Sequence, residues 1–327
     1  MPHSPGGFCL ALSVSVVLVA GAAPAAALPG SQHSSHTSRE DSYILAVGTN
    51  TTISNASIDE MVRLRGDRAS NFLWFRRAGK AYLWTFVTPD LTVYRYATTR
   101  SGSVPAEVLG DSKGRLLVDA YTGYNAVTST GRRTRAGCWA HARRKLFEQQ
   151  AHPEVAPVLE LISALYRVER DAKKACILGT DKHLALRTTR ARPIMALIFR
   201  WARFHRARHE PRSALGRAIA YLLNNHAALT LCTRHPSLPL DNNIAERSLR
   251  RVAMGRANFL FVGHEPSGHR HAVLYTLINS CQQNGKNPVD YLTDVLSRID
   301  GHPARDIIDL LPHRWQPPDA SVPTAGT

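Results

Sequence analysis

The segment 154–231 constrains the fold of this chain most strongly, because its apolar residues recur at helical spacing and strand signals are absent from it. The helical spacing is clearest in one run, which comprises Val155, Val158, Leu159, Ile162 and Leu165. The residues before this segment instead form short β-branched and aromatic runs, and the residues after it return to helical patterns. This order predicts an α/β core that is interrupted by a mainly helical insertion.

The strand-like runs lie between residues 81 and 140. Residues 81–88 and 91–98 are separated by Pro89 and Asp90, which predicts a β-hairpin with a tight turn. The apolar run 115–118 predicts another strand, and residues 133–140 predict one more that leads into a basic helix over 142–150. Beyond the insertion, helical patterns begin near residue 244 and recur over 272–284 and 288–299.

The charge of the chain indicates a polyanionic partner. Its 41 Lys and Arg residues outnumber its 25 Asp and Glu residues and give a formal net charge of +16. Nucleic acid is the natural partner for such a field, although a ribosome-associated protein or a merely Arg-rich protein would share it.

The N-terminus and the cysteines point to different compartments. Residues 8–28 form an apolar stretch that ends in small residues, as a secretory signal does, but no Lys or Arg precedes it. The five cysteines are scattered without a CxxC pair, which is typical of reduced thiols in a cytosolic protein. We therefore predict a cytoplasmic, nucleoid-associated protein without a membrane partner, in which the leader-like segment comes from a wrong start or a decayed reading frame.

Asp119 lies where the apolar run 115–118 ends. A carboxylate at the C-terminal end of a strand is exposed at the edge of the sheet, where α/β folds place site residues. An Asp in this place also commonly caps the turn that follows, here at Tyr121. Both interpretations stay open for this residue taken alone.

Glu246 falls in the first turn of the helix that follows Asp241, Asn242 and Asn243, which are favoured N-cap residues. The helix macrodipole favours a negative charge there, and a capping-box Glu reaching back to Asn243 would explain it structurally. Basic residues nearby could bind phosphates, although basic helix faces are more often only solvated. We predict DNA contacts from Arg143, Arg144, Arg247, Arg250, Arg251 and Arg256.

Cys138 and His141 have the spacing of half a metal site, but the sequence supplies no second half nearby. Packing of Cys138 and Trp139 at a strand end, with His141 near the rim of a site, is the favoured interpretation.

Carboxylates such as Asp119 and Glu246 matter because phosphodiester hydrolysis and strand transfer use two divalent ions held a few Å apart. Mg²⁺ and Mn²⁺ prefer such oxygen ligands. Three acidic residues brought together by a fold can supply them, and Asp119 and Glu246 would be two of the three.

Several collinear segments carry a resemblance to a known family: VDAYTGYNAV, GCWAHARRKLFE, LPLDNNIAERSLRRVAMGRANFLFVG and LYTLINSCQQNGKNPVDYLTDVLSRI. They are similar to transposases of the insertion-sequence-66 family, and the similarity covers most of residues 58–299. The resemblance implies an α/β, ribonuclease-H-like DDE core with a helical insertion before the third acid and with C-terminal helices. It also implies Mg²⁺- or Mn²⁺-dependent cutting and joining of DNA at element ends, by a homo-oligomer on DNA. In that pattern Asp119 matches the second acid and Glu246 the third.

The chain departs from the family pattern at the first acid. The best match is Asp59 in SIDEMVRL, with Met61 where the family has Thr, and Asp67 is a rival. Ala120 stands where the family generally has Gly, and the leader-like segment replaces a long DNA-binding region. Three functions therefore stay open: an active transposase core, an inactive DNA-binding remnant, and, on the leader alone, a secreted basic protein.

The predicted division of the chain follows from these patterns. Residues 1–55 are leader-like and largely disordered, and residues 56–152 form the first part of the core. Residues 153–235 form the helical insertion, residues 236–300 complete the core with the third acid, and residues 301–327 form a disordered tail.

Overall fold

The computed structural model describes residues 43–48, 53–55, 79–258 and 265–317. The strands in these residues are β1 Tyr43–Gly48, β2 Ile53–Asn55, β3 Gly79–Val87, β4 Thr92–Ala97, β5 Gly114–Val118 and β6 Arg133–Gly137. The helices are α1 Ser103–Leu109, α2 Asn125–Thr128, α3 Trp139–Phe147, α4 Val155–Lys174, α5 Asp181–Leu186, α6 Arg192–Arg206, α7 Ala214–Asn224, α8 His226–Thr230, α9 Asn243–Asn258, α10 Glu265–Gln283 and α11 Pro288–Arg298. The fold is a mixed α/β fold, as the sequence predicts.

A single mixed sheet contains all of these strands. β1 lies between β3, to which it is antiparallel, and β5, to which it is parallel. β6 continues the sheet parallel to β5, and β4 pairs with β3 on the other side. The predicted hairpin is confirmed, because β3 and β4 pair antiparallel from Tyr82 opposite Ala97 to Val87 opposite Thr92.

The prediction that residues 1–55 are largely disordered is wrong for β1 and β2. β1 is an interior strand of the sheet, and β2 pairs with the start of β3 opposite Gly79 and Ala81. The run YILAVG is short and follows a Ser- and His-rich stretch, so its local pattern is weak. Its strand conformation depends on partners that come much later in the chain. The part of the leader-like segment before residue 43 lies outside the described residues.

The boundary between β6 and α3 also differs from the prediction of a strand over 133–140. The strand ends at Gly137 and α3 begins at Trp139. The Trp139 backbone N–H donates to the Leu240 carbonyl at 2.9 Å, and its indole N–H donates to the Leu229 carbonyl at 2.9 Å. These partners come from distant segments, so local propensity could not locate the boundary.

Successive residues of β5 pack on opposite faces of the sheet. Leu116 and Val118 pack with Trp84 and Phe86 in one apolar cluster, whereas Leu117 packs into the cluster formed by the helices that follow β6. All of these side chains are almost completely buried. Because burial of one such side chain contributes about 1.5–3 kcal/mol, both faces hold the end of β5 firmly.

Every element assigned between residues 155 and 233 is helical. α4 presents Val158, Ile162 and Leu165 to the core at helical spacing, and each is fully buried. α6 contributes Ile198 and Phe199 to the same cluster. These helices pack on the sheet face that contains Leu117, next to the strand end that precedes Asp119.

The Arg187 guanidinium is buried where a π-helical turn joins α5 to α6. It donates to both carboxylate oxygens of Glu169 in α4, at 2.9 and 2.7 Å. The His183 ring lies 3.3 Å from the same carboxylate. Burial by itself raises the pKa of Glu169, but the hydrogen bonds from His183 and Arg187 outweigh it and bring that pKa to about 2. Glu169 is therefore ionised at neutral pH and forms a buried ion pair with Arg187.

The same guanidinium also holds the segment that returns from the insertion to the sheet. It donates to the carbonyl oxygens of Cys232, His235 and Leu238 at 2.9 to 3.0 Å. A single side chain thus connects α4, the α5–α6 junction and the return segment 231–240.

Helix α10 covers the outer edge of β4. The Thr92 backbone N–H donates to the Ser280 hydroxyl at 3.1 Å, and the Tyr94 backbone N–H donates to the Thr276 hydroxyl at 2.9 Å. The two hydroxyls are one helical turn apart, so they satisfy strand N–H groups that would otherwise offer an edge for pairing. Gly268 permits this close approach, because a Cβ there would lie 2.3 Å from the Tyr96 ring.

The prediction of a disordered tail from residue 301 is wrong as far as residue 317. A 3₁₀ segment, Ala304–Leu310, follows α11, and Leu310 and Trp315 are buried against Tyr291 and Val295. The Trp315 indole N–H donates to Asp294 at 2.6 Å. The Pro-rich composition concealed these anchors, because two buried residues suffice to order a short segment. Residues 318–327 lie outside the described residues.

No helix within the described residues is long and apolar enough to cross a membrane.

The buried ion pair predicts a large difference between two arginines of the α5–α6 junction. Arg187→Met should lower the free energy of unfolding by about 3–5 kcal/mol, because it leaves the Glu169 charge uncompensated in the interior. Arg190→Met is the matched control, because Arg190 pairs with Asp171 at 2.8 Å on the surface. The Arg190→Met replacement should lower the free energy of unfolding by at most about 1 kcal/mol. Urea unfolding of both variants measures the difference, and equal losses would show that Arg187 does not anchor the fold.

Candidate active site

Asp119 directly follows β5, at the C-terminal edge of the parallel part of the sheet. Val118 pairs with Gly137 of β6, so Asp119 and Cys138 leave the sheet side by side. The Asp119 carboxylate is half-buried, and its Oδ1 accepts a hydrogen bond from the Tyr121 backbone N–H at 3.0 Å. Asp119 therefore caps the turn at Tyr121, as the sequence allowed. The same hydrogen bond orients its carboxylate at the edge of the sheet where α/β folds place site residues.

Arg135 of β6 supports the loop that carries Asp119. Its guanidinium donates to the carbonyl oxygens of Asp119 and Tyr121 at 2.6 and 3.0 Å, and to Asn125 Oδ1 at 2.7 Å. Burial lowers the pKa of Arg135, and the charge of Asp119 acts in the opposite direction. The residue types of β6 give no sign of this role, because the strand is short and reads RTRAG.

Glu246 lies in the first turn of α9 and contacts α3. Its Oε1 is 3.4 Å from His141 Nε2, and both side chains are partly exposed, at 29 and 21%. His141 lies three residues after Cys138, which is adjacent to Asp119 in the sheet. The structure therefore brings Glu246 to α3, the helix that begins beside Asp119.

The turn before α9 is held by Asp241. Its Oδ1 accepts from the Asn243 backbone N–H at 3.1 Å, and its Oδ2 accepts from the Tyr166 hydroxyl at 2.8 Å. Burial, and next the charge of Asp241, raise the pKa of Tyr166 far above its usual value, so the phenol remains a donor. Asp241 caps the turn while Tyr166 ties it to α4, and together they set the position of Glu246.

Asn242 is fully buried, and neither polar atom of its side chain has a hydrogen-bond partner in the structure. Asn242 is therefore packed in the interior and does not present its side chain to solvent.

Cys138 and Trp139 are fully buried, as the packing interpretation predicts. Burial raises the pKa of the Cys138 thiol to about 11, although backbone hydrogen bonds from Asn242 and His141 act in the opposite direction. Among the described residues, the group of three metal-ligating side chains close to one another includes neither Cys138 nor His141, so the second half of a metal site is not found beside them.

The arginines predicted to bind DNA fall into three groups. Arg144, Arg247 and Arg250 are exposed. Arg143 is half-buried, with its guanidinium 5.2 Å from the Phe147 ring centroid. The side chains of the remaining two, Arg251 and Arg256, lie outside the described part of the structure.

The first acid, Asp59, also lies outside the described residues, as does its rival Asp67. Among the residues that the structure describes, the group of three metal-ligating side chains with ligand atoms within 4.8 Å of one another is Glu154, His205 and His209, and no such group includes Asp119 or Glu246. The described residues therefore show the positions of Asp119 and Glu246 but not that of the predicted first acid.

The chain matches two sequence families that agree in their assignment. Residues 75–270 match the family described as "Transposase IS66 family", and residues 276–313 match the "IS66 C-terminal element". The chain belongs to the IS66 transposase family. The first match begins after Asp59 and includes Asp119 and Glu246.

Curated relatives extend the similarity. The chain is 30% identical over 289 residues to "Uncharacterized protein y4hP" of Sinorhizobium fredii, an alignment that covers 80% of this chain and 52% of the relative. It is also 30% identical to y4qI of the same organism over 260 residues, covering 73% of this chain and 47% of that protein. The chain therefore spans about half the length of the curated relatives it matches. No solved structure matches the chain significantly.

The position of the two acids predicts a shared ion. We expect a crystal structure soaked with Mn²⁺ to show a metal peak contacted by Asp119 and Glu246, with the two carboxylates less than about 10 Å apart. Asp241 is the internal control, because Tyr166 and Asn243 already occupy its oxygens. Carboxylates farther apart, with no hinge that could bring them together, would show that Asp119 and Glu246 belong to different sites.

Proposed function

We propose that this member of the IS66 family is the catalytic core of a DNA transposase that cuts and joins phosphodiesters with divalent metal ions. The observation that supports this proposal most directly is that Asp119 lies at the end of β5 while Glu246 contacts His141 of α3, the helix that follows β6. Family membership supports the same reaction class, since the matched region contains both acids.

The strand order supports a ribonuclease-H-like core. An antiparallel group of β1, β3 and β4 continues into the parallel strands β5 and β6, and the helices of residues 155–233 are inserted between β6 and the helix that carries Glu246. In this proposal the helical insertion lies outside the catalytic core and holds the third acid in place.

The proposed metal is Mg²⁺ or Mn²⁺, which would be held by the first acid, Asp59, together with Asp119 and Glu246. Carboxylate oxygens suit these ions, which would activate the attacking oxygen and stabilise the leaving one. The Tyr121 N–H and Arg135 fix the loop of Asp119, while His141 contacts Glu246. Such positioning matters because a displaced ligand weakens catalysis of this kind.

A second candidate function, DNA binding without efficient catalysis, has its own support. β1, the interior strand next to β5, reads YILAVG and carries no acidic residue, and the family match begins only at residue 75. A chain with two of three acids would retain the exposed arginines of α3 and α9. These observations favour a weak enzyme over an efficient one.

A nicking assay tests the proposal and separates the two functions. We expect purified chain with Mg²⁺ or Mn²⁺ to nick DNA carrying the element's ends weakly and without end specificity. Asp119→Ala and Asp119→Asn should both abolish the activity. Asp111→Asn is the matched control, because Asp111 pairs with Arg132 on the surface and lies before β5.

The outcomes have distinct meanings. Nicking that survives in the Asp119 variants would overturn the assignment of Asp119. The absence of nicking in the wild-type chain would favour the DNA-binding function. Efficient, end-specific cleavage would show that this chain is a complete enzyme.

DNA binding should depend on the arginines of α9. Replacing Arg247, Arg250 and Arg251 with Ala should weaken binding to all sequences and reduce the slope of log affinity against log salt by about 2–3. Wild-type affinity without base contacts should be on the order of micromolar or weaker. The control is the replacement of Arg192, Arg200 and Arg203 with Ala. These residues are exposed on α6, so the control removes the same positive charge from a different helix. Equal slope changes in both triple variants would show that net charge, and not α9, determines binding.

A further inference from the structure

A cluster of metal-ligating side chains lies in the helical insertion. Glu154 immediately precedes α4, His205 lies in the last turn of α6, and His209 follows that helix. One potential ligand atom from each of the three lies within 4.8 Å of the others. None of them belongs to the sheet edge that carries Asp119.

The backbone around this cluster is held in place by packing that does not involve the ligand atoms. The Trp201 indole N–H donates to the Glu154 carbonyl oxygen at 3.0 Å, which fixes the start of α4 against α6. The Trp201 ring also contacts the His205 ring, with centroids 4.7 Å apart. Trp201 therefore ties both Glu154 and His205 to α6.

The histidines face inward from a turn that is otherwise exposed. His205 and His209 are half-buried, whereas Arg206 and Arg208 between them are exposed. His209 follows the turn in which the Arg208 backbone N–H donates to the His205 carbonyl at 3.0 Å, and the two histidine ring centroids lie 5.8 Å apart. The Arg208 guanidinium lies 3.4 Å from the Phe204 ring centroid and donates to the Phe204 carbonyl oxygen, which engages its charge outside the cluster.

The distances suit a small tetrahedral ion. Glu154 Oε1 lies 3.2 Å from His209 Nε2. Zn²⁺ binds imidazole nitrogen and carboxylate oxygen at about 2.0–2.2 Å, so two tetrahedral ligands lie about 3.4 Å apart. His152 Nδ1 lies 3.9 Å from Glu154 Oε1, but His152 does not belong to the group of three.

A second observation points to a missing partner at the same place. His205 Nδ1 is buried and has no hydrogen-bond partner in the structure. Buried polar atoms are nearly always satisfied, so an unpaired imidazole nitrogen beside a carboxylate and a second imidazole indicates a bound species.

We propose that Glu154, His205 and His209 form a zinc site, with water in the fourth position, that fastens the start of α4 to the end of α6. Imidazole nitrogens favour Zn²⁺ over Mg²⁺, which prefers oxygen ligands. The site is distinct from the proposed catalytic centre in both its position and its ligand type. The alternative is that Glu154 and His209 form an ion pair without a metal ion.

Zinc titration of the full chain tests the proposal. Protein freed of metal with EDTA is titrated with Zn²⁺ in the presence of excess Mg²⁺, by calorimetry and by metal analysis after gel filtration. The wild-type chain should bind one more equivalent of zinc than His205→Ala/His209→Ala, and zinc should raise the Tm of the wild-type chain only. His226→Ala is the matched control, because His226 is an exposed histidine of the same insertion and lies outside the cluster.

A conservative variant distinguishes the loss of a zinc ligand from the loss of the fold. Glu154→Gln keeps the side-chain shape and should weaken zinc binding by about tenfold or more, since loss of an outer-shell partner alone costs about 10–100-fold. Circular dichroism should show unchanged helix content. Asp119→Asn should keep the zinc equivalent, so failure of the catalytic proposal and failure of the zinc proposal are distinguishable. Equal zinc content in the wild-type chain and the double-histidine variant would overturn the site.

Discussion

The buried contact between Arg187 and Glu169 connects the parts of this protein that position its acids. Arg187 is inside the helical insertion, yet it donates both to Glu169 of α4 and to three carbonyl groups of the return segment. That segment ends at Leu240, whose carbonyl accepts the Trp139 N–H at the start of α3. A buried guanidinium is costly to desolvate, and here all three of its nitrogens donate to the Glu169 carboxylate or to backbone oxygens of the return segment. The insertion therefore serves to bring the chain back to the sheet in a defined place.

The sheet edge shows how local and distant constraints meet. Asp119 is held by contacts within its own turn and by Arg135 from the neighbouring strand. Glu246 depends on longer-range contacts: Tyr166 of α4 holds the Asp241 turn, and α9 packs on the sheet through Leu249 and Val252. His141 links the Glu246 region to the end of β6, because it contacts Glu246 and lies four residues after the last residue of that strand. Asp119 and Glu246 are distant in sequence, and each is held by an element of the same sheet or packed on it.

Much of this arrangement could be predicted from the residues themselves. Pro89 and Asp90 between two β-branched runs indicated the hairpin, and the spacing of Val158, Ile162 and Leu165 indicated the helix that buries them. β1 could not be found in this way, because YILAVG is short and its hydrogen-bond partners lie in β3 and β5. The ordered segment around Trp315 was missed for a related reason, since its stability comes from Tyr291 and Asp294 in the preceding helix.

The sequence by itself determined the family, the hairpin, the helical character of residues 155–233, and the identity of Asp119 and Glu246 as candidate acids, because these depend on residue type and spacing along the chain. The tertiary structure alone decided which side chains meet. His141 contacts Glu246, Arg187 binds the return segment, and Glu154 lies beside His209 across two helices. Such contacts join residues many positions apart, and the periodicity of a single element contains no information about the element it packs against.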